Sequence, residues 1–343
     1  MSLNILIQKW YKDNLRALPW RENKNPYSIW LSEIILQQTQ VVQGLPYYEK
    51  FIKKYPEVEC LANAKEEEVL KLWQGLGYYS RARNLHYAAK QIVDQYTGIF
   101  PNNYKELLNL KGVGDYTASA IASIAFGEAV PTVDGNVLRV ISRVFDVDTP
   151  VDTNKGKNEI KNLMFEILDK NNPGDFNQAV MELGAKICKP KNPDCIACPI
   201  QVKCLAYDKQ NFLERPVKSK KVKVESLFID FLYLYNSKGF VLQQRDDKGI
   251  WKKLFELPSS FSKIDFFDFK HLENIRNLYS KLDNEIFYVK SVKHKLTHRN
   301  LNIRFFNCAI EEDAHVSSFK LAKTKAVPKP IEDFMAKLLT RRG

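Results

Sequence analysis

The sequence predicts a multi-domain α and α+β protein, with an all-α first part and a smaller α+β second part. Three observations carry this. Up to residue 214, apolar residues recur at helical spacing with Gly and Pro as punctuation and no convincing strand between them. Beyond a lysine-rich stretch the pattern turns to short β-rich runs. A chain of 343 residues, 45% apolar and 27% charged, is long enough for two cores.

In chain order, helices are expected over 4–18, 27–54, 65–72, 80–96, 103–110, 116–126, 136–144, 154–168 and 175–188, each an apolar periodic run closed off by Gly or Pro. These fall into an all-α domain, 1–214, divided into a six-helix bundle of about 24–133 and a subdomain from about 1–23 with 134–214. Arg215 to Lys223 has the composition of a solvated linker, placed at 215–225. Strands are expected over 227–235, 240–244, 286–292 and 301–309, in a second domain of 226–343. No internal repeat is visible.

The net charge is +12 and it is unevenly spread. From Arg215 onward there are 26 basic and 15 acidic residues, against 26 and 25 before it. The excess points to a polyanion partner, although a solvated lysine-rich surface would look the same. No apolar stretch approaches the ~18 residues of a membrane span, and the N-terminus lacks a secretory pattern, so a cytoplasmic location is expected. Four of the six cysteines crowd into 188–204, which in a reducing compartment suggests metal rather than disulfides. Cys60 and Cys308 read as small buried hydrophobes.

Leu107 to Ala118 reads as a helix, a tight Gly112-Val113-Gly114 turn and a second, apolar helix. The glycines let backbone approach a partner, and the N–H groups opening the second helix suit a phosphate. This is a helix-hairpin-helix signature, which holds DNA backbone without reading sequence. An αα-corner needing glycine only for packing is the alternative. Cys188-x6-Cys195-x2-Cys198-x5-Cys204 sets four soft ligands within seventeen residues, fit for a cubic iron–sulfur cluster or for zinc. Four-cysteine zinc sites mostly pair two CxxC knuckles, and this stretch has one.

Glu33 has Ile29, Trp30 and Leu36 as helical neighbours, so its carboxyl projects from an apolar face, where desolvation raises a pKa towards that of a general acid. A solvated surface charge is the bland reading. Asp134 stands where a helix starts, an N-cap position that should also keep the carboxylate ionised. One neutral and one anionic carboxyl are what glycosidic cleavage through an oxocarbenium-like state requires.

Together these residues resemble the MutY adenine DNA glycosylases of the helix-hairpin-helix, iron–sulfur superfamily. Leu18-Pro19-Trp20-Arg21, Trp30-Leu31-Ser32-Glu33, Leu36-Gln37-Gln38-Thr39-Gln40-Val41, Gly75-Leu76-Gly77-Tyr78-Tyr79, the hairpin, Val133-Asp134-Gly135-Asn136-Val137 and the cysteines follow that family's motifs in order. The resemblance implies removal of adenine mispaired with 8-oxoguanine or guanine in double-stranded DNA, a [4Fe–4S] cluster on Cys188, Cys195, Cys198 and Cys204, a monomer beside the nucleoid, and no membrane partner. It implies that Glu33 protonates adenine N7 and later positions water, that Asp134 stabilises the cationic sugar, and that Tyr116 and Asn136 support the pair. Arg21 and Glu182 would lie near the extruded base. Gln38 and Tyr78 would wedge into the stack, and Gly112, Val113 and Gly114 would hold DNA backbone.

The second domain resembles the MutT-like (Nudix) fold that this family appends to recognise 8-oxoguanine. Gly249-Ile250-Trp251-Lys252-Lys253-Leu254-Phe255-Glu256-Leu257-Pro258 matches its Gly-x-Trp…Glu-x-Pro stretch, and no Arg-Glu-x-x-Glu-Glu run follows, so a reader rather than a hydrolase is expected. Leu296-Thr297-His298 stands where many members carry Phe-Ser-His, so Thr297 and His298 are the expected 8-oxoguanine contacts. Two other readings remain open from the sequence. One is an endonuclease III-like glycosylase with lyase activity, whose catalytic lysine would occupy the position of Tyr116. The other is a catalytically silent DNA-binding iron–sulfur protein.

Overall fold

The computed structural model describes residues 1–219, 224–265, 268–296 and 298–340. The chain forms two compact units, Met1–Ala64 with Asn84–Lys221 and Lys65–Arg83 with Val222–Gly343. The short segment Lys65–Arg83 thus clusters with the C-terminal part of the chain, although it lies early in the sequence.

The first unit is helical, with no strand among its described residues. Helix α1 (Leu3–Asn14) is followed by a short 3-10 turn at Pro19–Arg21, then α2 (Pro26–Leu36), α3 (Val41–Lys54) and α4 (Val58–Ala62). The expectation of a single helix over 27–54 is corrected here. The chain breaks at Gln37–Gln40, where Gln38 adopts a left-handed φ of 58° and Gln40 is extended as the N-cap of α3. That polar run has nothing to bury, whereas α2 before it is buried from Tyr27 to Ile35.

After α5 (Glu66–Leu72), which belongs to the second unit, come α6 (Ser80–Tyr96), α7 (Tyr104–Leu107) and α8 (Asp115–Phe126). Helix α8 is buried continuously from Thr117 to Ser123, and Gly127 in left-handed conformation ends it. Helices α9 (Gly135–Val144), α10 (Asn154–Ile167) and α11 (Pro173–Lys186) close a core around Ile7, Val140, Ile141, Met164, Phe176 and Leu183. A short α12 (Leu205–Asp208) follows the cysteine loop.

In the second unit, β1 (Glu225–Tyr235), β2 (Gly239–Phe240), β5 (Ser259–Ser262), β6 (Phe287–Leu296), β7 (Arg299–Ala309) and β8 (Ser317–Ser318) form one sheet in the order β6-β7-β1-β2-β8, with β5 also on β1. Strands β1 and β7 run parallel over their full lengths, from Glu225 beside Arg299 to Tyr235 beside Ala309. Strands β3 (Gln243–Gln244) and β4 (Phe255–Glu256) pair separately, so the run expected over 240–244 is two short strands with different partners. Alternation along β1 sends Ile229, Phe231 and Tyr233 into one core and Leu232 and Leu234 into another. Three helices absent from the sequence reading cover these faces: α13 (Phe269–Asn277), α14 (Phe319–Thr324) and α15 (Lys329–Thr340). Phe334 of α15 stacks on Phe305 of β7 at 4.3 Å between centroids. No helix among the described residues is long and apolar enough to cross a membrane.

Candidate active site and cysteine loop

Glu33 occupies the last turn of α2 and is only 9% exposed, because the helix is buried all round it. Its Oε2 accepts the Tyr116 hydroxyl at 2.5 Å from the first turn of α8. Burial pushes the carboxyl up to about 7, and the nearby Asp134 adds to the rise, while the Tyr116 hydrogen bond and Arg21 oppose it. Near neutrality this carboxyl therefore carries a proton that it can give up.

Asp134 caps α9, its Oδ1 accepting the Val137 N–H at 2.7 Å and its Oδ2 the Asn136 amide at 2.8 Å. Burial nevertheless raises its pKa, against the expectation that the cap would pin it low; the Val137 and Asn136 donors oppose the rise. With both oxygens accepting N–H bonds, its surroundings are those of a carboxylate rather than an acid.

Glu33, Asp134, Tyr116 and Asn136 share one cavity of about 610 Å³ with Arg21, Glu182 and Gln38. Glu182, on α11, is 1% exposed. Burial would raise its pKa, but Arg16 and Arg21 hold it below the usual carboxylate range. Arg16 clasps it with Nε at 2.5 Å and Nη2 at 2.9 Å, and Arg21 Nη2 joins at 2.9 Å. Sequence reasoning misses Arg16, since a lone arginine after an amphipathic helix looks like surface. Met181, also in the cavity, meets the Tyr116 hydroxyl through its sulfur at 3.7 Å.

Gln38 is exposed at the rim of this cavity in its left-handed turn. Tyr78 is 45% exposed, with a φ of 47°, and lies in the second unit. In the hairpin, Gly112 has a φ of +79°, and a Cβ there would stand 2.6 Å from that of Asn84. Gly114 is the N-cap of α8 with no heavy atom within 4 Å of an added Cβ. Val113 is 7% exposed, so its side chain serves the core and only its backbone can meet a partner. His298 is exposed in the β6–β7 turn; Thr297 lies outside the described residues.

The cysteine loop follows α11. Cys188, Cys195, Cys198 and Cys204 line one cavity of about 30 Å³, together with Arg143 of α9. Arg143 Nη1 lies 3.3 Å from Cys188 Sγ and 2.8 Å from the Lys189 carbonyl. Burial pushes the Cys198 thiol up to about 12. Among the described residues no three His, Cys, Asp or Glu side chains stand close enough to grip one ion. Arg139, one turn before Arg143, donates Nε to the Cys188 carbonyl at 2.7 Å and Nη2 to Asn136 Oδ1 at 2.9 Å. It thereby links the cysteine loop to the Asn136–Asp134 pair. The signal for both arginines is their i, i+4 spacing on a helix whose other residues are largely apolar.

Residues 31–167 match the family model of the HhH-GPD superfamily base excision DNA repair proteins, and 231–337 match the NUDIX domain. The chain is 36% identical over 299 residues to the adenine DNA glycosylase of Buchnera aphidicola subsp. Schizaphis graminum, covering 87% of this chain and 85% of that protein. With the adenine DNA glycosylase of Homo sapiens it shares 44% identity over 209 residues, 58% of this chain and 38% of the human protein. A solved thermostable thymine-DNA glycosylase superposes with a TM-score of 0.56 at 31% identity, covering 60% of this chain and 95% of that one. An endonuclease III in complex with DNA shares the fold of 60% of the chain, at a TM-score of 0.53 and 24% identity, over 94% of its own length.

Proposed function

The chain belongs to the adenine DNA glycosylases, base-excision repair enzymes that cleave N-glycosidic bonds, and from that membership we propose that it removes adenine mispaired with 8-oxoguanine or guanine in double-stranded DNA. The observation that carries this is the pairing, in one cavity, of a Glu33 carboxyl raised to about 7 with an Asp134 carboxylate held by two N–H donors. Glu33 gives its proton to adenine N7. The C1′–N9 bond then breaks with its electron pair leaving on the base, and the Asp134 carboxylate faces the cationic sugar. Water adds at C1′ and returns a proton to Glu33. Tyr116 orients Glu33, and Asn136 orients Asp134. Arg21 and Glu182 flank the extruded base. Gln38 and Tyr78 enter the stack to offset the few kcal/mol that extrusion costs, and the backbone of Gly112, Val113 and Gly114 meets phosphate.

The domains proposed are a catalytic part, 1–214, a linker at 215–225 and an 8-oxoguanine reader, 226–343, in a monomeric protein of the cytoplasm and its nucleoid. Thr297 and His298 make the discriminating contacts. A hydrogen bond worth ~0.5–1.5 kcal/mol net implies that Thr297→Val lowers the preference for 8-oxoguanine over guanine about threefold to tenfold while A:G processing hardly changes. Equal losses on both substrates would assign Thr297 a general role in binding.

Cys188, Cys195, Cys198 and Cys204 would hold a [4Fe–4S] cluster, which supplies a rigid cross-link for a loop with little core of its own. The donor set fits: four soft thiols open on one cavity beside the Arg143 guanidinium. A single zinc would hold the same four thiolates in a tetrahedron. Iron and sulfide content and visible absorbance decide between them. The glycosylase reading is tested by single-turnover excision from an A:8-oxoguanine duplex with wild type and Glu33→Gln; turnover of the variant within tenfold of wild type would sink it.

A further inference from the structure

The loop that carries Tyr78 is built into the second unit from both sides. Trp73 Nε1 donates to the Gly77 carbonyl at 2.9 Å, Arg81 Nη2 reaches the Leu76 carbonyl at 3.4 Å, and the Arg81 guanidinium lies 5.8 Å from the centre of the Tyr78 ring. These local contacts shape the turn, but the anchors come from the far end of the chain. Before the loop, Lys71 Nζ donates to the Lys325 carbonyl at 3.0 Å and to Gln74 Oε1 at 3.1 Å, while the Val327 N–H reaches the same Gln74 oxygen at 3.4 Å. After it, Arg83 Nη1 donates to the Lys252 carbonyl at 3.0 Å. The Tyr79 hydroxyl points to the Val327 carbonyl at 3.4 Å, and Lys325 Nζ pairs with Glu67 at 2.8 Å. The backbone that receives these bonds is itself fixed, because Phe255 in β4 donates its N–H to the Ala326 carbonyl at 2.9 Å.

We propose that Lys71 and Arg83 are positioning residues through which the C-terminal part of the chain holds the Tyr78 loop ready to enter the duplex. The C-terminal part then promotes extrusion of adenine whatever base stands opposite, in addition to reading the lesion. Two cationic donors on backbone carbonyls, one on each side of an exposed residue in left-handed conformation, restrict where that residue can go before DNA arrives. This rests on the reading of Tyr78 as a wedge.

The test is a double-mutant cycle in the full-length protein. Wild type, Lys71→Met/Arg83→Gln, Tyr78→Ala and the triple variant are compared on A:G and A:8-oxoguanine duplexes by single-turnover excision and by the fluorescence of 2-aminopurine at the adenine position, which reports unstacking. The Lys71→Met/Arg83→Gln protein is expected to lose about tenfold in extrusion and excision on both duplexes. That loss should vanish when Tyr78 is already alanine, because the anchors then have nothing to position. Lys71→Arg, which keeps a donor, should restore most of the Lys71→Met loss. Full activity of Lys71→Met/Arg83→Gln, or losses that simply add to those of Tyr78→Ala, would overturn the proposal. A silent Tyr78→Ala would instead overturn the wedge reading, and the proposal with it. If Lys71→Met/Arg83→Gln melts too low to assay, Arg83→Gln alone is run through the same cycle: a loss that vanishes in the Tyr78→Ala background supports the proposal, and full activity or a simply additive loss overturns it.

Discussion

Glu33 keeps its proton near neutrality because the residues that bury it on α2 also deny water to its ionised form. The folded pKa of about 7 lies above the ordinary 4.5, so between these values the native state holds a proton that the unfolded chain releases. The associated stability is complete below about 4.5 and is lost as pH rises through 7, a change on the order of 3 kcal/mol over the window. Glu33→Gln should therefore flatten the pH dependence of denaturant stability and be more stable than wild type above pH 7, while abolishing excision and leaving duplex binding nearly intact. Excision by wild type should fall as pH passes about 7, with a second fall on the acid side as Asp134 gains a proton, the two limbs belonging to the coupled pair. A profile flat through pH 7 would remove Glu33 from the role of acid. At Tyr116, substitution by lysine would bring an amine to the cavity that holds both carboxyls, so strand nicking should appear where wild type leaves the strand uncut until alkali or heat is applied. Wild-type nicking as fast as base release would show that the lyase reading was the right one.

Among the elements, the hairpin between α7 and α8 separates two uses of glycine that look alike in the sequence. Gly112 is needed by the fold: its φ is +79° and a Cβ would collide with Asn84. Gly112→Ala should cost about 1–3 kcal/mol, from left-handed strain and the shift of a neighbour, and lower the melting temperature by several degrees. Gly114 has an ordinary negative φ and open space around it, so Gly114→Ala should melt like wild type. If this turn meets phosphate, the same variant should bind duplex more weakly, and unchanged binding would leave Gly114 with no part in the interface. The hairpin, Glu33 and the Asp134 cap were legible in the sequence because each depends on local spacing. The break at Gln38 was not, because the apolar pattern resumes at Val41 in a phase that a continuous helix would also allow. The clasp of Arg16 on Glu182 was hidden for another reason. The two residues stand 166 positions apart, and a single sequence carries no trace of such a pair.

For the molecule as a whole, the sequence leads one to expect that removing residues from about Glu225 onward spares folding and some A:G activity and weakens the preference for 8-oxoguanine. A further loss follows from the second unit. Lys65–Arg83 belongs to it, and truncation would take away the carbonyls of Lys252, Lys325 and Val327 that receive Arg83, Lys71 and Tyr79. A shortened protein should thus suffer two separable losses. Recognition of 8-oxoguanine should fall because Thr297 and His298 are gone. Extrusion of adenine should fall on every mispair, because Lys71 and Arg83 lose the carbonyls that anchor the Tyr78 loop. Removal of 21 basic and 15 acidic residues from 225–343 should also reduce the salt dependence of binding. The measurement is single-turnover excision by the truncated protein on A:G and A:8-oxoguanine at several salt concentrations, beside full-length Lys71→Met/Arg83→Gln. A:G excision by the truncated protein should drop at least as far as in that variant, and A:8-oxoguanine excision further still. If truncation leaves A:G excision at the wild-type rate, the C-terminal part is a reader alone, and the Tyr78 loop holds its shape through Trp73 and Arg81 without help.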